Sequence, residues 1–501
     1  MKVELIGALD YAKLKEELKG KVSGTDIDNI IELIHNMEVE RRLEIVSTAG
    51  RLSRNKGNVF DVLGISENNS FDKNLSFIKR VIKMGHDSIT DHDYLVFALQ
   101  DVSIVVEQTV IAERYSSFTI KSRREVDFSK VGYYVPNFHD INGNLLANNE
   151  EIRNEFSEHE KYLFNDYEKL VSMGIPLEDA RYILPYSYHS NFIMGIDAHT
   201  LKDMIIKFTK TKYSKVEELN QLGNLLYDIA KENVPYIIDE IDNIPINTVD
   251  SVDDYLDKLI DKKSYKVLDK PKLLSCSSNV DDTILLSAIM RRYQFDKERA
   301  LKVYDVLSKD SSFKQELMKK IAFESDKLEL SQVSFEFQIL LSFAILTHLT
   351  RHRTHHIMIP DFSPVVDLSQ YKTPPKIKSI CNDKFNEIFK NNIEMYNHFK
   401  RDYQIRDEDL IAFTLSGNMV NVLTNMDGKT LEHILSLREC NKSQWETREM
   451  ANGLHDEIRK LDEAKYFSSI LGPSCETQGI CKEGKESCGK VLKLSKKKEF
   501  N

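Results

Sequence analysis

No stretch of this 501-residue chain stays apolar for the roughly 18 residues that a bilayer-crossing helix needs, so no membrane partner is expected. Cysteine is scarce, with 6 in the whole chain, which excludes a disulfide framework. Positive charge is in deficit: 69 lysines and arginines against 79 acids leave a net charge of −10. A general nucleic-acid surface needs the opposite balance, so no nucleic-acid partner is expected either. Residues 1–18 turn charged too early for a signal peptide and read as a strand followed by a helix, so a cytoplasmic location is expected. What remains is ordinary for a globular protein: 41% hydrophobic and 30% charged residues. The length is enough for about two to four domains with packed cores.

Local patterns divide the first half. Small residues at 47–53 predict a turn. Residues 75–84 read as an amphipathic helix ended by Gly85. A strand is expected over 94–99 and a buried helix over 102–111. The asparagine-rich stretch 139–158 predicts a loop. Pro176, beside Glu178 and Asp179, opens a helix, and 198–208 reads as another. The acidic stretch 237–264 reads as a connector with some helix.

In the second half a mostly apolar run, 335–346, leads into Arg351-His352-Arg353-Thr354-His355-His356. Two permanent cations and up to three imidazoles at the end of a buried segment repel one another unless an anion sits among them. The bland alternative is a solvated basic turn. His348, His352 and His356 also share helical i, i+4 spacing, which admits a metal site, although the bracketing arginines disfavour a cation. Around this cluster the earlier pattern begins again: 265–275 resembles the opening strand, 280–292 the first helix, and 333–349 the strand and buried helix. Arg351 falls where Ala112 fell, 239 residues on (351 − 112). A whole-domain duplication is expected, with repeats at 1–236 and 265–472, a connector at 237–264 and a tail at 473–501.

Several blocks then fall into one order. The first repeat carries Gly85-His86-Asp87-Ser88 with His92, then Ser117-Phe118, Ser122 and Arg124, then Tyr134-Val135-Pro136. Residues 178–185 (EDARYILP) follow. The second repeat carries Arg351-His352-Arg353 and 437–449 (LRECNKSQWETRE). Together these resemble the flavin-dependent thymidylate synthases, whose signature is Arg-His-Arg followed, after seven residues, by Ser-x-Arg. The departures are complementary. Ala112-Glu113-Arg114 replaces Arg-His-Arg in the first repeat, Asp197 and His199 replace a flavin-facing Asn-x-Arg, and Phe208 replaces a substrate arginine. In the second repeat Asp361 and Ser363 replace Ser-x-Arg, and Ile411 stands at the position of Arg181.

The resemblance implies an α+β fold in two tandem copies, each a central sheet with flanking helices. It implies reductive methylation of 2′-deoxyuridine monophosphate (dUMP) to dTMP, with methylenetetrahydrofolate as carbon donor, FAD as cofactor and NADPH as reductant. In the family, Arg-His-Arg holds flavin and nucleotide from one subunit, and Ser-x-Arg reaches the nucleotide from another. Carried onto this chain, Arg351, His352, Arg353 and His86 are expected at the cofactor. Arg181, Ser117 and Gln444 are expected at the substrate, and Ser122, Arg124 and Arg438 at the reacting ring. His86 admits a blander role beside the helix that Gly85 ends. A composite site between the repeats is expected, in a homodimer that forms a pseudo-tetramer. Two other readings stand beside this one. Losses in both repeats favour a non-catalytic nucleotide- or flavin-binding paralogue. The acids Glu125 and Asp361 favour a flavoenzyme with a different nucleotide substrate.

The cysteines carry a separate signal. Cys475, Cys481 and Cys488 are spaced through a glycine-containing tail, and Cys440 is a candidate fourth ligand. Such thiols read as a zinc or iron–sulfur site more than as disulfides. The bland alternative is a loose tail of reduced thiols, and the lysines of 490–498 point to looseness at its end.

Overall fold

The computed structural model describes all residues except 6, 8–10, 20, 22–23, 249–250, 257, 261–269, 361–366 and 492–501. The chain forms two compact units that do not follow chain order. One holds 1–263 together with 375–415, and the other holds 264–374 together with 416–501.

In the first unit four strands, β1 (Lys2–Leu5), β2 (Tyr94–Ser103), β3 (Ser116–Ile120) and β4 (His189–Asp197), pair antiparallel in the order β1-β2-β4-β3. Strand β2 alternates because one face must be buried: Leu95, Phe97 and Leu99 are at most 1% exposed. They join a core with Met194 and Ile196 of β4 and with Leu201, Ile205 and Phe208 of the helix Ala198–Lys210. Leu43 and Val46 of the helix Gly24–Leu52 close it. Each such side chain contributes roughly 1.5–3 kcal/mol by leaving water. At the end of β2, the Ser103 hydroxyl accepts the Val106 N–H and starts the helix Ile104–Ile111, in which all eight residues are buried.

The helices Asn149–Ser172 and Asn382–Asp402 both belong to this unit, although they come from different repeats. Aromatic packing explains this. Phe156 and Phe399 each meet Phe413 edge-on, at 5.2 and 4.9 Å between ring centroids. His159 hydrogen-bonds the Asn392 side chain at 2.8 Å beside them.

The second unit repeats the sheet. Strands β5 (Lys272–Cys276), β6 (Ser334–Ser342), β7 (His356–Met358) and β8 (Met419–Asp427) pair in the order β5-β6-β8-β7. Phe335, Phe337, Ile339 and Leu341 form the buried face of β6. The helix Phe343–Thr350 follows, as long as Ile104–Ile111 and 239 residues on (343 − 104). Matching devices hold both copies. Asp197 and Asp427 each cap the next helix, accepting the N–H of Thr200 at 2.8 Å and of Thr430 at 2.7 Å. Glu218 and Glu446 accept the N–H of Ser103 and of Ser342 where β2 and β6 end. The fold is therefore α+β with a duplicated sheet.

Some local expectations change. Residues 47–52 continue the helix Gly24–Leu52, and the small Ser47 lets its buried hydroxyl reach the Asn74 side chain at 2.9 Å. The expected loop at 139–158 is a loop up to 148, and a helix starts at Asn149, whose side chain accepts the Phe138 N–H. Within the acidic connector lie the helices Ile238–Asn243 and Ser251–Leu256, while 261–269 fall outside the described residues. Among the described residues no helix is long and apolar enough to cross a membrane.

Buried acids make stability pH-dependent. Burial pushes the Glu160 carboxyl up to about 8, against one hydrogen bond from Ser187 at 2.6 Å. The unfolded chain ionises near the usual carboxylate value, so stability falls as pH rises from there through about 8. Glu160→Gln should flatten this slope, leaving the share of Glu218, which burial pushes up to about 7, and raise stability at pH 9 by about 3–4 kcal/mol. Melting curves at pH 6 and pH 9 check this: parallel losses in both proteins would exclude Glu160 as the cause.

Candidate active site

The helix Phe343–Thr350 stops one residue before Arg351, and β7 begins at His356. Arg351-His352-Arg353 therefore occupies the turn between a buried helix and an edge strand. Arg351 and Arg353 are exposed, while His352 is 8% exposed. Arg438, the last residue of the helix Gly428–Arg438, donates from Nε to His352 Nε2 at 3.0 Å. It also donates from Nη2 to the His348 carbonyl at 3.3 Å. Burial, reinforced by the Arg438 charge and the nearby rings of His355 and His433, pushes His352 down to about 3. The ring is neutral near pH 7, with its proton on Nδ1. It adds an oriented acceptor to this turn, not the extra positive charge expected from the sequence.

Behind this turn lies a chain of neutral bonds. His348 Nδ1 is bonded to the Thr447 hydroxyl at 2.8 Å, and Gln444 Oε1 accepts the Thr447 N–H at 3.0 Å. His355 is bonded to the Thr424 hydroxyl and to the Leu349 carbonyl. The histidine metal site admitted by i, i+4 spacing is thereby excluded. The helix ends at Thr350, so His352 and His356 do not continue its face, and His348 and His352 turn to different partners.

In the first unit the chain turns after β3. The Ser122 hydroxyl accepts the Arg124 N–H at 3.3 Å, and the Ser122 carbonyl accepts the Val126 N–H at 3.1 Å. This turn sends adjacent arginines to different carboxylates. Arg123 is buried and pairs with Glu107, which also accepts from Ser190. Burial opposes its charge, but Glu107 more than offsets that and holds its pKa above the ordinary value. Arg124, partly exposed, donates from Nε to the Glu178 carboxylate at 2.8 Å. Arg181 donates from Nε to the Glu178 carbonyl at 3.2 Å. Arg124 and Arg181 thus both bond Glu178, and the Ser122 turn carries Arg124. Arg181 is 3% exposed, and burial lowers its pKa. Its Nη2 is enclosed with no hydrogen-bond acceptor among the described residues.

Other candidates stand apart from this group. Ser117 is exposed on β3 opposite Gly195. His86 is exposed at the start of the turn Asp87–His92 and makes no capping bond through its side chain. Asp361 and Ser363 fall outside the described residues. Where the first repeat departs from the signature, it pairs its own charges. Glu113 binds Lys207 at 2.6 Å, His199 binds Asp91 at 3.0 Å, and Asp87 binds Lys202. In the second unit Glu324, Asp326 and Glu329 come within metal-binding distance of one another, yet Arg291 reaches all three.

The sequence reading placed Glu178 only at a helix start and in the 178–185 block, and missed its pairing with Arg124 and the Arg123–Glu107–Ser190 group. The signal was present: a glutamate in the middle of the apolar helix Ile104–Ile111 needs a buried partner.

The family model described as "Thymidylate synthase complementing protein" matches residues 32–236 and 272–462, one stretch in each repeat. The chain belongs to this family. Relatives carry the name "Flavin-dependent thymidylate synthase". The one from Geobacter sulfurreducens is 27% identical over 128 residues, spanning 25% of this chain and 52% of its own length. The one from Clostridium tetani is 28% identical over 186 residues, 33% of this chain and 74% of its own. The one from Halobacterium salinarum is 25% identical over 194 residues, 34% and 76%. The chain thus spans about half the length of the Geobacter relative. Each alignment takes in at most about a third of the present chain.

Proposed function

We propose that the chain is a flavin-dependent thymidylate synthase that converts dUMP to dTMP with methylenetetrahydrofolate, FAD and NADPH. The observation that carries this reading is the Arg438–His352 bond behind two exposed arginines. That donor set fits a flavin pyrophosphate, because guanidinium forks stay charged and bind phosphate oxygens bidentately. Arg181, with an enclosed and unpartnered Nη2, fits the nucleotide phosphate. A flavin held by Arg351 and Arg353 would supply the reducing power for methylation.

The protein's own residues bind and orient. Arg351 and Arg353 hold the cofactor's anionic part. Arg438 fixes the His352 ring so that its Nδ1–H is the donor available to ligand. Gln444 holds Thr447, and through it His348. Ser122 hydrogen-bonds the pyrimidine, and Arg124 stabilises negative charge developing on that ring. Neither repeat carries the whole signature: the Ser122 and Arg351 groups each supply a part of it. The ion pairs of Glu113, Asp87 and Asp91 support this division, since they take up the charges of the first repeat's own cofactor position.

Two measurements test the reading. FAD with dUMP should raise the melting temperature, by about 2.7 kcal/mol of stabilisation at 100 times Kd. Trp445, the one tryptophan, adjoins Gln444, and its fluorescence should be quenched as flavin binds. Arg351→Ala should lose both effects. A colourless protein with an unshifted melting point would sink the proposal. Ligand binding without rescue of a thymidine auxotroph would establish the non-catalytic paralogue instead.

A further inference from the structure

Four of the six cysteines line one pocket. Cys440 lies two residues past Arg438, in the turn between the helices Gly428–Arg438 and Trp445–Arg459. Cys475, Cys481 and Cys488 come from the segment 473–490, which folds against that turn. The segment can bend so tightly because Gly479, Gly484 and Gly489 adopt positive φ of 71°, 52° and 76°. The four cysteines line one pocket together with Asn441, Lys442, Glu483 and Lys490. All are free thiols. Cys276 and Cys381 lie elsewhere, on β5 and just before the helix Asn382–Asp402.

Four thiols around one pocket admit a tetrahedral zinc or an iron–sulfur cluster. Thiolates around one tetrahedral zinc sit about 3.8 Å apart, because each Zn–S bond is about 2.3 Å. Among the described residues, the groups of three or more ligand atoms that all fall within 4.8 Å of one another do not include these sulfurs. A wider ring of four thiolates suits a larger inorganic core, and four cysteines are the ligand set of a cubane cluster. Lys442 and Lys490 line the pocket beside Glu483, the first paired with Glu486 at 3.3 Å and the second with Glu476, and the Asn441 amide donates to Cys488 Sγ at 3.7 Å. Donors to ligating sulfurs tune and stabilise such centres.

We propose that Cys440, Cys475, Cys481 and Cys488 hold a [4Fe–4S] cluster. It ties the 473–490 segment to the turn that carries Arg438 at one end and Gln444 at the other. The cluster belongs to this chain whether or not the reaction proposed above is the right one, since its readout is composition and not activity.

The test is anaerobic purification of the full chain, followed by metal and acid-labile sulfide analysis. About four iron and four sulfide per chain are expected, with a broad absorption that persists after flavin is stripped and bleaches with dithionite. Cys481→Ala and the double variant Cys475→Ala/Cys488→Ala should lose the iron, and Cys276→Ala and Cys381→Ala should keep it. Circular dichroism separates ligand loss from misfolding, and reconstitution of unfolding-free apoprotein with ferrous iron and sulfide repeats the count. One zinc per chain without sulfide would overturn the cluster. Absence of metal after reconstitution, or iron retained in the Cys481 and double variants, would overturn the site.

Discussion

Arg438→Ala should lower kcat/KM for thymidylate formation by about 100-fold or more, equivalent to about 3 kcal/mol. The guanidinium has two jobs in one fork: Nε holds His352 Nε2, and Nη2 holds the His348 carbonyl where the buried helix nears its end. Alanine leaves both acceptors without their donor and lets the His352 ring turn. It also removes one of the charges that keep His352 neutral, so the His352 pKa should move up from about 3 toward its ordinary value. The sign of the linked effect follows. A histidine depressed in the folded state stabilises the fold above about pH 6.5, and that stability is lost as pH falls from there toward 3. The wild type should therefore bind flavin equally well between pH 6 and pH 8, while the variant should change affinity as pH falls across that range. Arg438→Lys keeps the charge without the fork and should recover the flat pH profile but not the full rate. A loss below about three-fold in the alanine variant would remove Arg438 from the site.

How far the sequence could reach depended on the range of the interaction. The duplication was legible because hydrophobic alternation and buried helices are local signals. Residues 94–111 and 334–350 show the same strand and the same apolar helix at one offset. The place of Arg351-His352-Arg353 at the end of such a helix was legible for the same reason. Its charge state was not. His352 is neutral because burial disfavours its charge and Arg438, 86 residues away in sequence, aims a guanidinium at it, and no local pattern shows this. The helical histidine spacing misled because the helix stops at Thr350, where the chain must turn to place His356 on β7. Asparagines in 139–158 marked a loop by composition, yet packing of Phe156 against Phe413 extended the helix back to Asn149. The same aromatic cluster draws 375–415 into the first unit, a long-range effect that no repeat boundary reveals.

The sharpest structural prediction concerns two neighbours that the sequence motif treats as one. Arg123→Met should destabilise the first unit by about 3–5 kcal/mol, because it strands the Glu107 carboxylate in the core. In melting experiments that is a fall on the order of 10 °C. The cost comes from the unpaired acid more than from a lost attraction, so adding Glu107→Gln to Arg123→Met should restore most of it, leaving Ser190 a neutral partner. Arg124→Ala should behave in the opposite way. Its partner Glu178 is about a third exposed, so the lost pair costs less than about 1 kcal/mol, while catalysis should collapse if Arg124 meets the pyrimidine. The Ser122 turn makes this division possible by sending one arginine to a carboxylate in the core and the next to a partly exposed one. Equal losses of stability in the two variants would mean that Arg124 is also a structural residue, and that the anion-binding group around Glu178 is a surface ion pair with no ligand to meet.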